Sequence, residues 1–278
     1  MNRAPSDDPL ARFALLVAQE PLPLLHAAAE AARYADPDCD PKRVLDTMAR
    51  WGAQLAARLP ADAAAPMRWR QLNHFFFDEL GFRPNVDQYY DPDNSYLHRV
   101  IERRTGIPIT LSLLYSAVGA QAGLKLQGVA FPGHFLVTLA LSDGHMIIDV
   151  FGGGQALSQA DLRARLAAAR VDHETPLDVL LRPASEREIL ARLLRNLKLI
   201  HVQSGDLAAA LHVQHRIVAV LPDAPEELRI RAALYERLEC PRAAADDLAA
   251  YVRMQAGQAA AETQDLLQRL QQAARRLN

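Results

Sequence analysis

Residues 104–124 read RTGIPITLSLLYSAVGAQAGL, and the fold turns on how this stretch is read. Pro108 suits the first turn of a helix, where its missing N–H has no partner to lose and its fixed φ is already helical; Gly123 suits the end. The expectation is one helix between them. Directly afterwards the hydrophobic period changes. KLQGVAF (125–131), HFLVTLAL (134–141) and HMIIDVFG (145–152) are short and rich in β-branched and aromatic residues, so they read as strands, His134 opening the second. The last two flank SDG (142–144), a hairpin turn, and SQADLRARLAAA (158–169) closes the unit as a helix.

Upstream, residues 8 to about 104 are helical in pattern, with apolar positions three and four apart in LARFALLVAQ, LLHAAAEAARYA, KRVLDTMARWGAQLAARL and RWRQLNHFFFDEL. The pattern breaks at GFRPNVDQYYDPDNS (81–95), whose Gly, Pro, Asn and Asp residues build a structured loop. Asp93 or Asn94 is the expected N-cap of the short helix SYLHRVIERR that follows. Downstream, after the connector ETPLDVLLRPASE (174–186), only helices are expected. A shift of 35 residues superposes Ala208, Ala209 and Ala210 on Ala243, Ala244 and Ala245, close to the 34-residue period of tetratricopeptide repeats. The expected domains are 1–185, with a helical lead-in over 8–104 and a core over 105–175, and a helical repeat domain over 186–278.

Half of the 278 residues are apolar and the net charge is −2, the composition of a globular chain with a sizeable core. No lysine or arginine run stands out, so nothing points to nucleic acid or anionic lipid. The start carries two early aspartates and broken apolar runs, unlike a signal peptide, and no stretch approaches the ~20 apolar residues of a membrane span. Cys39 and Cys240 are too few for a disulfide framework or a thiolate metal site, and a reducing cytoplasm is the expected compartment.

GIP at 106–108 opens the helix, Gly123 follows Pro108 by fifteen residues, and Asp149 follows His134 by fifteen. This frame resembles the transglutaminase-like core, a papain-related fold. More narrowly, GFRPNVDQYYDPDNSYLHRVIERRTGIPITLSLLY (81–115), GVAFPGHFLVTL (128–139), IIDVFGGGQALS (147–158) and the repeat-like tail resemble the SirB-type bacterial family over about residues 8–275. The resemblance implies an α+β fold: a helical N-terminal part, a papain/transglutaminase-like core with a small antiparallel sheet, then an all-α tetratricopeptide-like tail. It implies no particular reaction. In the transglutaminase-like pattern a cysteine opens the helix, and here Pro108 stands in its place.

Cysteine catalysis needs a thiolate at the helix start, an imidazolium beside it and a carboxylate to orient the imidazole. Pro108 supplies no nucleophile, and Cys39 and Cys240 lie in other segments. His134 and Asp149 remain as a surviving base and orienter, or as a hydrogen-bonded pair that braces the sheet; a turn at 142–144 puts both on one face, diagonally opposed. Ser112, four residues beyond Pro108, lies one turn deeper on the same side, whereas Thr110 points nearly opposite. His74, His98, His134 and His145 occur in no HExxH-type spacing, so no metal is expected, and GGG (152–154) lacks the GK[ST] of a phosphate loop. Pro132 and Gly133 set the approach of His134, and Tyr89, Tyr90, Asn94 and Phe131 are the candidate binding residues, the aromatics equally readable as core.

The function expected is a non-catalytic, protein- or peptide-binding regulatory module without cofactor, nucleic-acid or membrane partner. The alternative is a hydrolase or amide-processing enzyme in which His134 activates water and Asp149 orients it. A third reading is a scaffold whose cleft is filled.

Overall fold

The computed structural model describes residues 8–142, 144–170, 175–255 and 261–276. They form two compact units, one of Pro21–Leu193 and one joining Met1–Glu20 to Leu194–Asn278. Helix α1 (Pro9–Val17) belongs to the second unit and is capped by Asp8, whose carboxylate accepts the Leu10 N–H at 3.0 Å.

The Pro21–Leu193 unit begins with α2 (Leu24–Glu30), α3 (Pro41–Ala56) and α4 (Ala65–Asn73), the last running into a π-helical turn over His74–Glu79. A two-residue strand β1 (Arg83–Pro84), a 3-10 turn (Pro92–Ser95), α5 (Leu97–Arg103) and β2 (Thr105–Gly106) lead to α6 (Pro108–Gln121). In α3 the buried residues Val44, Met48, Trp51 and Leu55 fall at helical spacing and form one face. All eight residues from Pro108 to Tyr115 in α6 are buried, as expected of a helix apolar on every side. Its partner α3 approaches closely at Gly52, where an added Cβ would lie 2.4 Å from the Gln121 Cβ.

The main sheet is antiparallel in the order β3 (Leu126–Val129), β4 (Leu136–Leu141), β5 (Gly144–Asp149), β6 (Gln155–Leu157). Val137 pairs with Ile148 and Leu141 with Gly144, the register expected from the hairpin, although Asp143 lies outside the described residues. Helix α7 (Gln159–Ala168) puts Leu162 and Leu166 into one core with Val129, Phe131, Leu136 and Ile147, and α8 (Leu177–Leu180) adds apolar cover. Ser158 caps α7, its hydroxyl accepting the Asp161 N–H while the Asp161 carboxylate accepts the Ser158 N–H.

Several details depart from the sequence reading. The second strand opens at Leu136, two residues after His134, because Phe131–His134 is a turn: the His134 N–H donates to the Phe131 carbonyl at 3.1 Å and Gly133 has φ +68°. Neither Asp93 nor Asn94 caps α5; Asp91 caps the 3-10 turn ahead of it, accepting the Asp93 N–H at 3.0 Å, and Tyr96 precedes α5 without a side-chain cap. Strand β6 and the parallel pair β1–β2 are too short to show a period.

Helix α9 (Glu186–Ser204) is followed by α10 (Leu207–Val220), α11 (Pro225–Arg237), α12 (Pro241–Met254) and α13 (Ala261–Arg276). The division into units falls after Leu193, inside α9. Ala210 and Ala244 are fully buried and Ala245 nearly so, which is what close packing of paired repeat helices requires. Residues 171–174 and 256–260, which include the start of the connector and part of the second repeat segment, lie outside the described residues.

Candidate functional site

The turn at Phe131–His134 and the end of β5 bring His134 and Asp149 together: the imidazole Nε2 is 2.8 Å from Asp149 Oδ1. The diagonal geometry follows from the hairpin register. Arg192 holds the turn by donating to the carbonyls of Phe131 (3.1 Å) and His134 (2.7 Å). Gly152 makes room for the carboxylate: its N–H donates to Asp149 Oδ1 at 2.9 Å, and a Cβ there would come within 2.6 Å of Oδ2. The second carboxylate oxygen accepts from Arg165 of α7. Burial pushes the Asp149 carboxyl up, but the hydrogen bond and charge of His134, the Gly152 N–H and the Arg165 charge together overcome it and hold the group below the usual carboxylate range. Asp149 is therefore a buried anion shared between two cationic or potentially cationic partners. With Nε2 on Asp149, Nδ1 is the imidazole nitrogen left to act on a substrate.

Around the imidazole lies an aromatic layer. The Phe151 ring stands edge-on to His134 at 6.0 Å between centroids, Tyr89 edge-on to Phe151 at 6.3 Å, and Tyr90 edge-on to Tyr89 at 5.3 Å. Tyr90 is 63% exposed, so this layer reaches the surface. Asn94 is fully buried; it donates to the carbonyls of Gln88 (2.7 Å) and Tyr89 (3.2 Å) and accepts from Asn85, so it shapes the loop that carries the tyrosines and offers no group to a ligand. Thr110 ties the same loop to the first turn of α6 by donating to the Asn94 carbonyl at 2.8 Å. Phe131 is fully buried among Val129, Leu136 and Leu162 and does not line a groove.

Pro108 sits at the first position of α6, buried. Ser112 is also buried and lines a separate cavity of about 150 Å³ with Leu24, Gly128 and Phe135, a lining that does not include His134. Its hydroxyl is not brought to the imidazole. Sequence reading missed Arg165, Arg192 and Phe151, none of which stands in a motif, whereas the glycine run at 152–154 reads as a close backbone approach where the strand leaves the sheet.

A family model described as the transglutaminase-like superfamily matches residues 42–195, and a tetratricopeptide-repeat model matches residues 197–276. The chain is 36% identical over 250 residues to a UPF0162 protein of Xylella fastidiosa, covering 88% of this chain and 89% of that one. It is 26% identical over 178 residues to protein SirB1 of Salmonella typhimurium, covering 64% and 66%. It is also 31% identical over 179 residues to F-box only protein 21 of Homo sapiens, covering 60% of this chain and 27% of that protein. No solved structure matches.

Proposed function

We propose a function on the premise that this chain belongs to the SirB-type family, in which a transglutaminase-like domain is followed by tetratricopeptide repeats. The protein is a non-catalytic transglutaminase-like module that binds a protein or peptide and acts through that binding. One observation carries the reading: the helix start that would present a nucleophile holds Pro108, while the Asp149 carboxylate is committed to Arg165 as well as to His134. A proline keeps the geometry of the first turn and removes the covalent step. The exposed Tyr90, and a repeat tail of a kind that offers extended binding surfaces, support partner recognition.

The His134–Asp149 distance of 2.8 Å favours a second reading, a hydrolase or amide-processing enzyme with His134 as base. A screen of amide, ester and peptide substrates decides between the two. The binding module shows no turnover that depends on His134, and a photo-crosslinker at Tyr90 captures a discrete partner from a cognate lysate. Turnover abolished by His134→Ala establishes the enzyme instead, and repeated failure to crosslink any partner removes the binding module.

A further inference from the structure

Outside this site, the loop before α3 and the start of α5 assemble a second group of reactive side chains. Cys39 Sγ is 3.4 Å from His98 Nδ1, and His98 Nε2 is 3.0 Å from Asp36 Oδ2. Asp36 is held in turn by Arg99 at 3.0 Å and by the Asp38 N–H at 3.2 Å. All three side chains line one cavity of about 500 Å³, together with Asp38, Asp40, Arg43 and Glu102. Cys39 and Asp36 sit on opposite nitrogens of one imidazole, so the three cannot chelate a single ion. The same arrangement is the order of a proton relay: thiol, base, orienting carboxylate.

We propose that Cys39, His98 and Asp36 form a nucleophilic thiol centre that takes activated acyl groups, esters or thioesters, into a covalent thioester at Cys39. This rests on none of the residues of the His134 site. Burial first, and then the Asp36 charge, push the Cys39 thiol up to about 11, so the resting group is a thiol and needs a base at the moment of attack. His98 Nδ1 is that base. The thiol has a second acceptor in the Ala29 carbonyl, at 3.9 Å, but the imidazole is closer and is the one that can carry the proton onward.

In the first step the sulfur attacks the acyl carbonyl carbon, a C–S bond forms and the S–H proton passes to His98. The bond from carbonyl carbon to the leaving alkoxide or thiolate then breaks, and the leaving group departs with that proton. Water attacks the thioester with His98 as base, the C–S bond breaks, the thiolate recovers its proton from His98 and the carboxylic acid leaves; nothing is oxidised or reduced. Asp36 orients the imidazole and stabilises its charged form. Arg43, which has no ion pair among the described residues, is the cation on the cavity wall available to the developing oxyanion. Asp36, Asp38, Asp40 and Glu102 outnumber Arg43 and Arg99, so the lining favours a neutral acyl donor over an anionic one.

The test is acylation of the full chain by p-nitrophenyl acetate, followed by peptide mapping and by the burst of nitrophenolate. The expected result is one acetyl group on Cys39, formed more slowly by at least about tenfold in His98→Gln and unchanged in Cys240→Ser. An anionic succinyl ester should react more slowly than the acetyl ester by about tenfold. A wild-type protein whose acetyl groups map to Cys240 or to lysines, with Cys39 free, overturns the proposal without any variant having to fold. So does a Cys39 acetylation rate that His98→Gln leaves unchanged in a protein whose circular dichroism matches wild type. Because the readout is the acylated position, failure here leaves the reading of His134 untouched.

Discussion

At the scale of single residues, the decisive feature is that Asp149 serves two partners. Its oxygens accept from His134, from the Gly152 N–H and from Arg165, and it is almost fully buried. Replacing it by Asn keeps the shape and removes the charge, leaving the Arg165 guanidinium without its counter-ion. The expected cost at pH 7 is about 2 kcal/mol, the scale for a buried charged hydrogen-bond network losing one partner's charge. Since the folded carboxyl lies below its unfolded value, this stabilisation is fully present above an unfolded value of about 4 and is lost as the pH falls through the lower folded value. Urea unfolding followed by tryptophan fluorescence reads this unit, because Trp51 and Trp69 both lie in Pro21–Leu193. Wild type and Asp149→Asn should differ at pH 7 and converge towards pH 3; a difference that is constant with pH would contradict the ionic role. Gly152→Ala forces a methyl to 2.6 Å from Asp149 Oδ2 and should cost about 1–3 kcal/mol in the same assay, as overpacking does, even though its backbone conformation suits alanine.

Among the elements, α3 against α6 shows two effects opposed at one position. Gly52 to Ala raises intrinsic helix propensity by roughly 1 kcal/mol. The added Cβ would also lie 2.4 Å from the Gln121 Cβ and 2.5 Å from its Cγ, atoms near the root of a side chain on a helix buried over its first two turns, so a backbone has to move. Overpacking of that kind costs about 1–3 kcal/mol, and the clash should win. Gly52→Ala is expected to lower the tryptophan-detected urea midpoint; a rise would mean that α3 and α6 slide apart freely. Elements of this length were legible in the sequence because each carries an end signal: α6 has Pro108 and Gly123, and β4 and β5 share a turn. The hairpin register alone placed His134 and Asp149 on one face. What could not be read was set by contacts between distant segments. Arg165 and Arg192 are ordinary surface-type residues in sequence, and only the fold aims them at Asp149 and at the Phe131–His134 turn. Phe131 and Asn94 fit a groove or a core equally well by composition, and burial decided for the core. Cys39 and Asp36 lie 59 and 62 residues from His98 in sequence with no common motif, so nothing short of the fold could join them.

For the molecule as a whole, the two units rest on different electrostatics, and the repeat unit holds its own buried charges. Glu227 accepts from Arg195 and from Gln214, and Lys198 donates to Gln214 at 2.7 Å. Arg231 grips Asp247 with two hydrogen bonds and leaves a third nitrogen 3.3 Å from His215 Nδ1. Burial, then the charge of Arg231 and of His212, push His215 down to about 4, with Asp247 opposing. In the unfolded chain the same imidazole titrates near 6.5. Between these values the unfolded state holds a proton that the folded state does not, so stability rises with pH across this window and falls on acidification from pH 6.5 to 4. A shift of this size is worth about 3 kcal/mol unscreened, and solvent reaching the half-buried imidazole lowers the expected span to roughly 2 kcal/mol. His215→Gln keeps a polar group beside Arg231 and Tyr235 and removes the titration. Far-UV circular dichroism, which sees the tryptophan-free repeat helices as well as the core, should show wild-type melting temperature climbing from pH 4 to pH 6.5 more steeply than that of His215→Gln. Equal slopes in the two proteins would mean that the His215 imidazole takes up its proton at the same pH folded and unfolded, and that burial and the Arg231 charge do not oppose it.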